Sequence, residues 1–156
     1  MPVWPVASYN SIFVGGLPMI EEFEASEAIY PGMLVQFTNA TPEDKTIKPA
    51  VVNSTSVIGV ADISVDNKAL RGGKRTSAYA AKDVVKVIKG VINVMLRLVE
   101  SSDIDRGEML GPVADGEVGA YVCDSNADPC QLVAQSLQDV KTWTAPDWIL
   151  VELKIP

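Results

Sequence analysis

The chain has 156 residues with 13 basic and 20 acidic side chains, giving a formal charge of −7; its composition is 47% hydrophobic and 21% charged. That is enough apolar material for one domain, or two small halves packed together, and argues against disorder. An acidic surface disfavours nucleic acid, whose phosphates require clustered Lys and Arg. The absence of histidine excludes Ser-His-Asp, Cys-His and His-metal chemistry, because it removes the commonest general base and metal ligand.

Residues 1–16 read Met-Pro-Val-Trp-Pro-Val-Ala-Ser-Tyr-Asn-Ser-Ile-Phe-Val-Gly-Gly. There is no positive n-region and no compact apolar h-region, so no signal peptide is expected here. Pro2 and Pro5 favour extended backbone and remove two donors. Val3, Trp4, Val6, Tyr9, Ile12 and Phe13 nevertheless make the segment apolar. It is read as an arm, spanning residues 1–19, that packs these side chains on a neighbouring molecule, since aromatics bury much area per residue. The alternative is a first strand laid on the domain's own core.

Residues 20–27 carry four Glu around Ile20 and Phe23 and fit both helical and strand spacing. Next comes Ala28-Ile29-Tyr30-Pro31-Gly32-Met33-Leu34-Val35. Pro31-Gly32 suits a type II turn, with Pro fixing φ and Gly supplying φ > 0, and the apolar residues after it begin a strand. The pattern recurs as Asp103-Ile104-Asp105-Arg106-Gly107-Glu108-Met109-Leu110, with Gly107 lying 75 residues after Gly32. Strands are expected at residues 33–37 and 56–63, the latter with a bulge or close approach at Gly59. Arg71-Gly72-Gly73-Lys74-Arg75 is a local basic cluster that reads as a solvated turn.

Residues 83–100 form the longest apolar stretch. Ile88, Ile92, Val94, Leu96 and Leu98 alternate with Lys89, Asn93 and Arg97, and the β-branched content favours strand over helix. Cys123 and Cys130 flank a run of turn formers. They are read either as a disulfide across a hairpin or as two reduced thiols, and two thiols without histidine do not make a zinc site. Aligning Val60-Ala61 with Val133-Ala134 gives an offset of 73, and residues 148–155 alternate as a closing strand that corresponds to residues 84–91. The expectation is an all-β fold, a small barrel or sandwich, with a weak internal duplication and an extended N-terminal arm. Its domain plan is an arm at 1–19 and one β domain at 20–156, with half-repeats near 28–98 and 103–155. No run approaches the ~20 apolar residues of a membrane span, so no membrane partner is expected.

The series Gly32-Met33-Leu34-Val35, Lys48-Pro49-Ala50, Ile58-Gly59-Val60-Ala61, residues 84–91, Ile104 to Leu110, Val133-Ala134 and Ile149-Leu150-Val151-Glu152-Leu153 resembles small capsid decoration (cement) proteins of tailed viruses. The resemblance covers about residues 28–155. It departs at Val133, where a Gly is expected, and at the Cys hairpin, which is an insertion. The resemblance implies a β-rich structural virion protein that binds the outside of an icosahedral shell and stabilises it. Its partners would be the major capsid protein and further copies of itself, commonly as a trimer, with residues 1–19 as a capsid-binding arm. It implies location on the capsid exterior after synthesis in the host cytoplasm, and neither cofactor nor catalysis. Ile-x-x-Gly-x-x-Leu turns also resemble β-clip domains of the SAF type, so a ligand- or sugar-binding module is the alternative reading.

Overall fold

The computed structural model describes residues 13–39, 45–62, 78–121, 131–141 and 147–155. Val3, Trp4, Val6, Tyr9, Ile12, Cys123, Cys130 and the 71–75 loop lie outside these residues, as does the side chain of Phe13. The described residues form strands and no helix, in chain order β1 (Phe13–Gly15), β2 (Met19–Ala25), β3 (Leu34–Phe37), β4 (Thr46–Pro49), β5 (Val57–Ala61), β6 (Val84–Leu98), β7 (Asp103–Ile104), β8 (Met109–Ala114), β9 (Glu117–Ala120), β10 (Ala134–Ser136), β11 (Val140–Lys141) and β12 (Asp147–Ile155).

Their pairing closes twice on β6. The first ring runs β6-β2-β4-β3-β5 and back to β6; the second runs β6-β12-β10-β8-β9 and back to β6. Ring one uses the N-terminal half of β6, with Met19↔Lys89 through Glu24↔Val84 on one side and Val60↔Ile88 and Ala61↔Val87 on the other. Ring two uses the C-terminal half, from Gly90↔Ile155 to Leu98↔Asp147. The antiparallel partner therefore changes between Lys89 and Gly90. Gly90 has φ +122°, a conformation that side chains resist, so a glycine marks the point where one strand leaves a ring and enters the other.

The duplication can be followed hydrogen bond by hydrogen bond. Gly32 N donates to Ala61 O, and Gly107 N to Ser136 O, both at 2.8 Å. Met33 N→Tyr30 O closes the first turn and Glu108 N→Asp105 O the second, with φ +84° at Gly32 and +90° at Gly107. Asp62 N→Lys86 O matches Leu137 N→Leu150 O. Offsets of 75 relate β3 to β8 and β5 to β10, while 71 relates β4 to β9 and 64 relates the start of β6 to β12. The end of β6 repeats β2 at an offset of 73, since parallel Ala25↔Ile47 recurs as Leu98↔Val118. This corrects the alignment of Val60-Ala61 with Val133-Ala134: the pairings match Val60 to Gln135 and Ala61 to Ser136. Of residues 20–27, open to helix or strand by pattern, 20–25 lie in β2.

The cores follow from strand alternation. Val35, Ala61 and Val87 fill ring one with Ala25, Ile29, Ile47, Tyr79 and Val85. Their equivalents Leu98, Ile104, Leu110, Val118, Ile149 and Val151 are buried in the second cluster. Leu34, Val60 and Ile88 lie on the opposite face of ring one's strands and belong to that second cluster too. The outside of ring one thus becomes an inside when ring two packs on it. Gly59 allows the approach of β5 to β6, as a Cβ there would meet Val87 Cγ1 at 2.6 Å and Ile88 O at 2.7 Å.

Candidate functional site

Three surfaces stand out, and none gathers the groups of a reaction centre. Among the described residues no group of three or more Cys, Asp or Glu is placed to hold a metal ion.

The first surface is the seam between rings. The Pro31-Gly32 turn of ring one presses on ring two, where Arg97 of β6 receives it. Arg97 Nε donates to Pro31 O at 2.9 Å, and Arg97 N to Gly32 O at 3.1 Å. The guanidinium carbon stands 4.9 Å from the Tyr30 ring centroid and 5.2 Å from that of Trp148, so the cation lies over two aromatic rings. Glycine suits this turn on two counts: its φ is +84°, and a Cβ there would run into the Trp148 ring. Burial pushes Arg97 below the usual guanidinium value, while Glu117 pulls it back up. Burial likewise raises the Glu117 carboxyl, against the lowering pull of Arg97. The seam is extended by Leu34 N→Gly116 O at 2.8 Å and by Gln131, whose amide brackets Val57 through Val57 N→Oε1 (2.8 Å) and Nε2→Val57 O (3.2 Å).

The second surface is the matching turn of ring two, Asp105-Arg106-Gly107-Glu108. A Cβ on Gly107 would meet nothing within 4 Å. Arg106 is exposed, its N–H donating to Asp139 Oδ1 at 2.7 Å. The same turn is thus a buried contact in one ring and an open one in the other.

The third surface is apolar and adjoins the N-terminal segment. Leu17 is 91% exposed, and Met19, Ile20 and Val91 are also exposed. Leu17 O and Met19 N lie within 4 Å of the Cβ position of Gly90, so the backbone of residues 17–19 runs beside Gly90 and Val91. Phe13 and Gly15 pair with Val94 and Asn93 of β6. Strand β1 therefore lies along the half of β6 that follows Val91.

Of the residues singled out in the sequence, Pro31 and Gly32 lie in the seam and Gly107 in the open turn. Spacing brings neither turn to the other. Tyr30 stands in the sequence as part of the turn stretch, and Arg97 and Trp148 as positions on alternating strands; nothing in those patterns brings the three together. Matching the two halves position by position was the signal that would have found them, since it sets Arg106 against Pro31 and Glu24 against Arg97.

No family model matches the sequence, and no curated protein matches it. The fold is similar to that of the head fiber gp8.5 N base of bacteriophage phi29, with a TM-score of 0.55 at 12% identity over 88% of this chain and 95% of that one. It is also similar to a chain in the capsid of Myoviridae Phage XM1, with a TM-score of 0.52 at 17% identity over 88% of this chain and 83% of that one.

Proposed function

We propose that this chain is a structural virion protein of a tailed phage: it binds the outer surface of an icosahedral capsid, as a homotrimer, and stabilises the assembled shell. The observation that carries this reading is the likeness of the double-ring fold, over 88% of the chain, to a phage head fiber base and to a chain of a phage capsid. The exposed apolar patch at Leu17, Met19, Ile20 and Val91 supports it, as does the apolar segment that precedes Phe13. Anchors of this kind bind through buried area rather than through a pocket. Binding the assembled shell and not its dissociated subunits stabilises the shell by mass action. The protein's work is association; with no histidine in the chain, no reaction is assigned to it.

The test uses shells of the same phage that lack the protein. Added protein should co-sediment with them to a fixed saturation and raise their disruption temperature. Absence of co-sedimentation, or equal melting at proven saturation, rejects the proposal and returns attention to a ligand-binding role.

A further inference from the structure

The two rings repeat each other, but the contact between them is one-way. If a two-fold axis related them, each turn would press on the other ring. Instead the Gly32 turn is packed on Trp148 and Arg97, while a Cβ on Gly107 would meet no described atom within 4 Å. A contact between different surfaces of equivalent units is heterologous, and it leaves one unused surface of each kind at the two ends. Among the described residues, ring two keeps an exposed turn at Asp105, Arg106 and Gly107, and ring one an exposed face at Glu24, Lys45 and Val84.

The register offsets say which residues those are. On the turn, Asp105, Arg106, Glu108 and Met109 occupy the places of Tyr30, Pro31, Met33 and Leu34. On the face, Glu24 occupies the place of Arg97 and Val84 that of Trp148, paired across the strands in the same way. Lys45 stands where Gly116 stands in ring two, against which Met33 packs.

The two exposed surfaces are complementary. Arg106 would face Glu24, and Glu108, whose Oε2 also accepts from Asp105 N at 3.0 Å, would face Lys45. Asp105 brings a like charge to Glu24, which makes Arg106 the neutralising partner. Val84 is 62% exposed, and Met109, in the position of the buried Leu34, is exposed as well, so each surface also offers an apolar contact. The main-chain groups are already satisfied, with Glu24 N bonded to Lys45 O and Gly107 O accepting from Gln135 Nε2, so side chains would carry the contact. Such an interface is more polar than the seam, as befits subunits that are soluble apart.

We infer that a second copy of this chain docks head to tail on the first, the Arg106-Gly107 turn of one copy seating on the Glu24–Val84 face of the next in the manner of the seam within each chain.

Charge exchange tests this, with native mass measured across a concentration series on full-length protein. The wild type should self-associate. Arg106→Glu and Glu24→Arg should each weaken association by roughly tenfold or more, because each sets like charges together. The double variant should restore it. Circular dichroism should be unchanged in all three, since both side chains are exposed. A wild type that stays monomeric would identify the polar ends as caps and overturn the inference. So would an oligomer indifferent to both single changes, or a double variant that fails to recover. This contact rests on the self-association in the proposed function and names its residues: a monomeric wild type would reject both, an oligomer indifferent to the charge changes would reject the contact alone, and capsid binding, with no shells in the assay, keeps its own test.

Discussion

Arg97 holds a half-buried charge over two aromatic rings, and Gly32 is the residue that lets the turn approach it. The paired turns give an internal control for this. Gly32→Ala must place a Cβ both in a positive-φ backbone and against Trp148, whereas Gly107→Ala meets the backbone penalty alone. A left-handed conformation costs a non-glycine residue roughly 1–2 kcal/mol, and overpacking adds about 1–3 kcal/mol. Gly32→Ala is therefore expected to lose about 3 kcal/mol and Gly107→Ala about 1 kcal/mol, read as midpoints in a urea titration. Equal losses would mean that the Trp148 contact yields freely. Glu117 supplies a second prediction. Burial raises its carboxyl above the usual range, so the folded state holds the proton more tightly than the unfolded one. Its contribution is then favourable in acid and is lost as the pH rises through the folded value. Glu117→Gln should raise the melting temperature at neutral pH and leave it unchanged well below the ordinary carboxylate range. A variant less stable than wild type at neutral pH would show that attraction to Arg97 outweighs burial.

Among elements, β6 does the most to define the molecule. It supplies a wall to each ring, and Gly90 is where it changes partner. Gly90→Val would put a β-branched side chain at φ +122°, where Gly90 lies next to Leu17 and Ile92. The expected result is a loss of about 2 kcal/mol or more from backbone strain. Hydrogen exchange should accelerate on either side of the glycine, at Lys89 and Val91, before it does in the ring-one core at Val35. Uniform acceleration instead would make β6 a single rigid unit with no hinge at the glycine. Much of this element was legible beforehand. Alternation at Ile88, Ile92, Val94, Leu96 and Leu98 marked a strand, both Gly turns were marked, and residues 148–155 were matched to 84–91. Periodicity reports which face is buried but not how many partners a strand has, so the sharing of β6 by two rings left no trace. Strand β2 was obscured for a related reason. From Met19 to Glu22 every side chain is exposed, because β4 joins only at Glu24 and Ala25, and a strand without a buried face shows no period of two. The two-residue slip in matching Val60-Ala61 arose because small apolar residues recur in both strands. Only hydrogen bonding separates Val133-Ala134 from Gln135-Ser136. The seam was invisible because Arg97 and Trp148 lie 51 residues apart and neither belongs to a motif.

At the scale of the whole molecule, the question is what residues 1–12 do for a body that already closes two rings. The described residues bury two cores built from β2 through β12, and β1 joins at the edge of β6 through Phe13 and Gly15. Residues before Phe13 are thus expected to be dispensable for folding and required for docking. The cut must respect β1. Removing residues 1–16 would delete Phe13–Gly15 and its pairing with Val94, mixing a folding effect with a binding one. Removing residues 1–12 leaves that pairing in place. The shorter deletion is expected to melt within a few degrees of the full chain, while its co-sedimentation with shells falls sharply. Trp4→Ala should reproduce part of the effect in the intact chain, weakening shell binding by roughly 2 kcal/mol if the indole is a hot spot, or about thirtyfold. The control is Leu17→Ser on the neighbouring patch, which is solvent-facing and should leave the melting temperature unchanged. If that substitution also weakens binding, the arm and the patch form one continuous contact. If the 1–12 deletion unfolds the domain, the segment is a strand of the core and the arm does not exist. If it folds and binds shells as well as the full chain, docking lies elsewhere on the rings, and the patch around Gly90 loses its assignment with it.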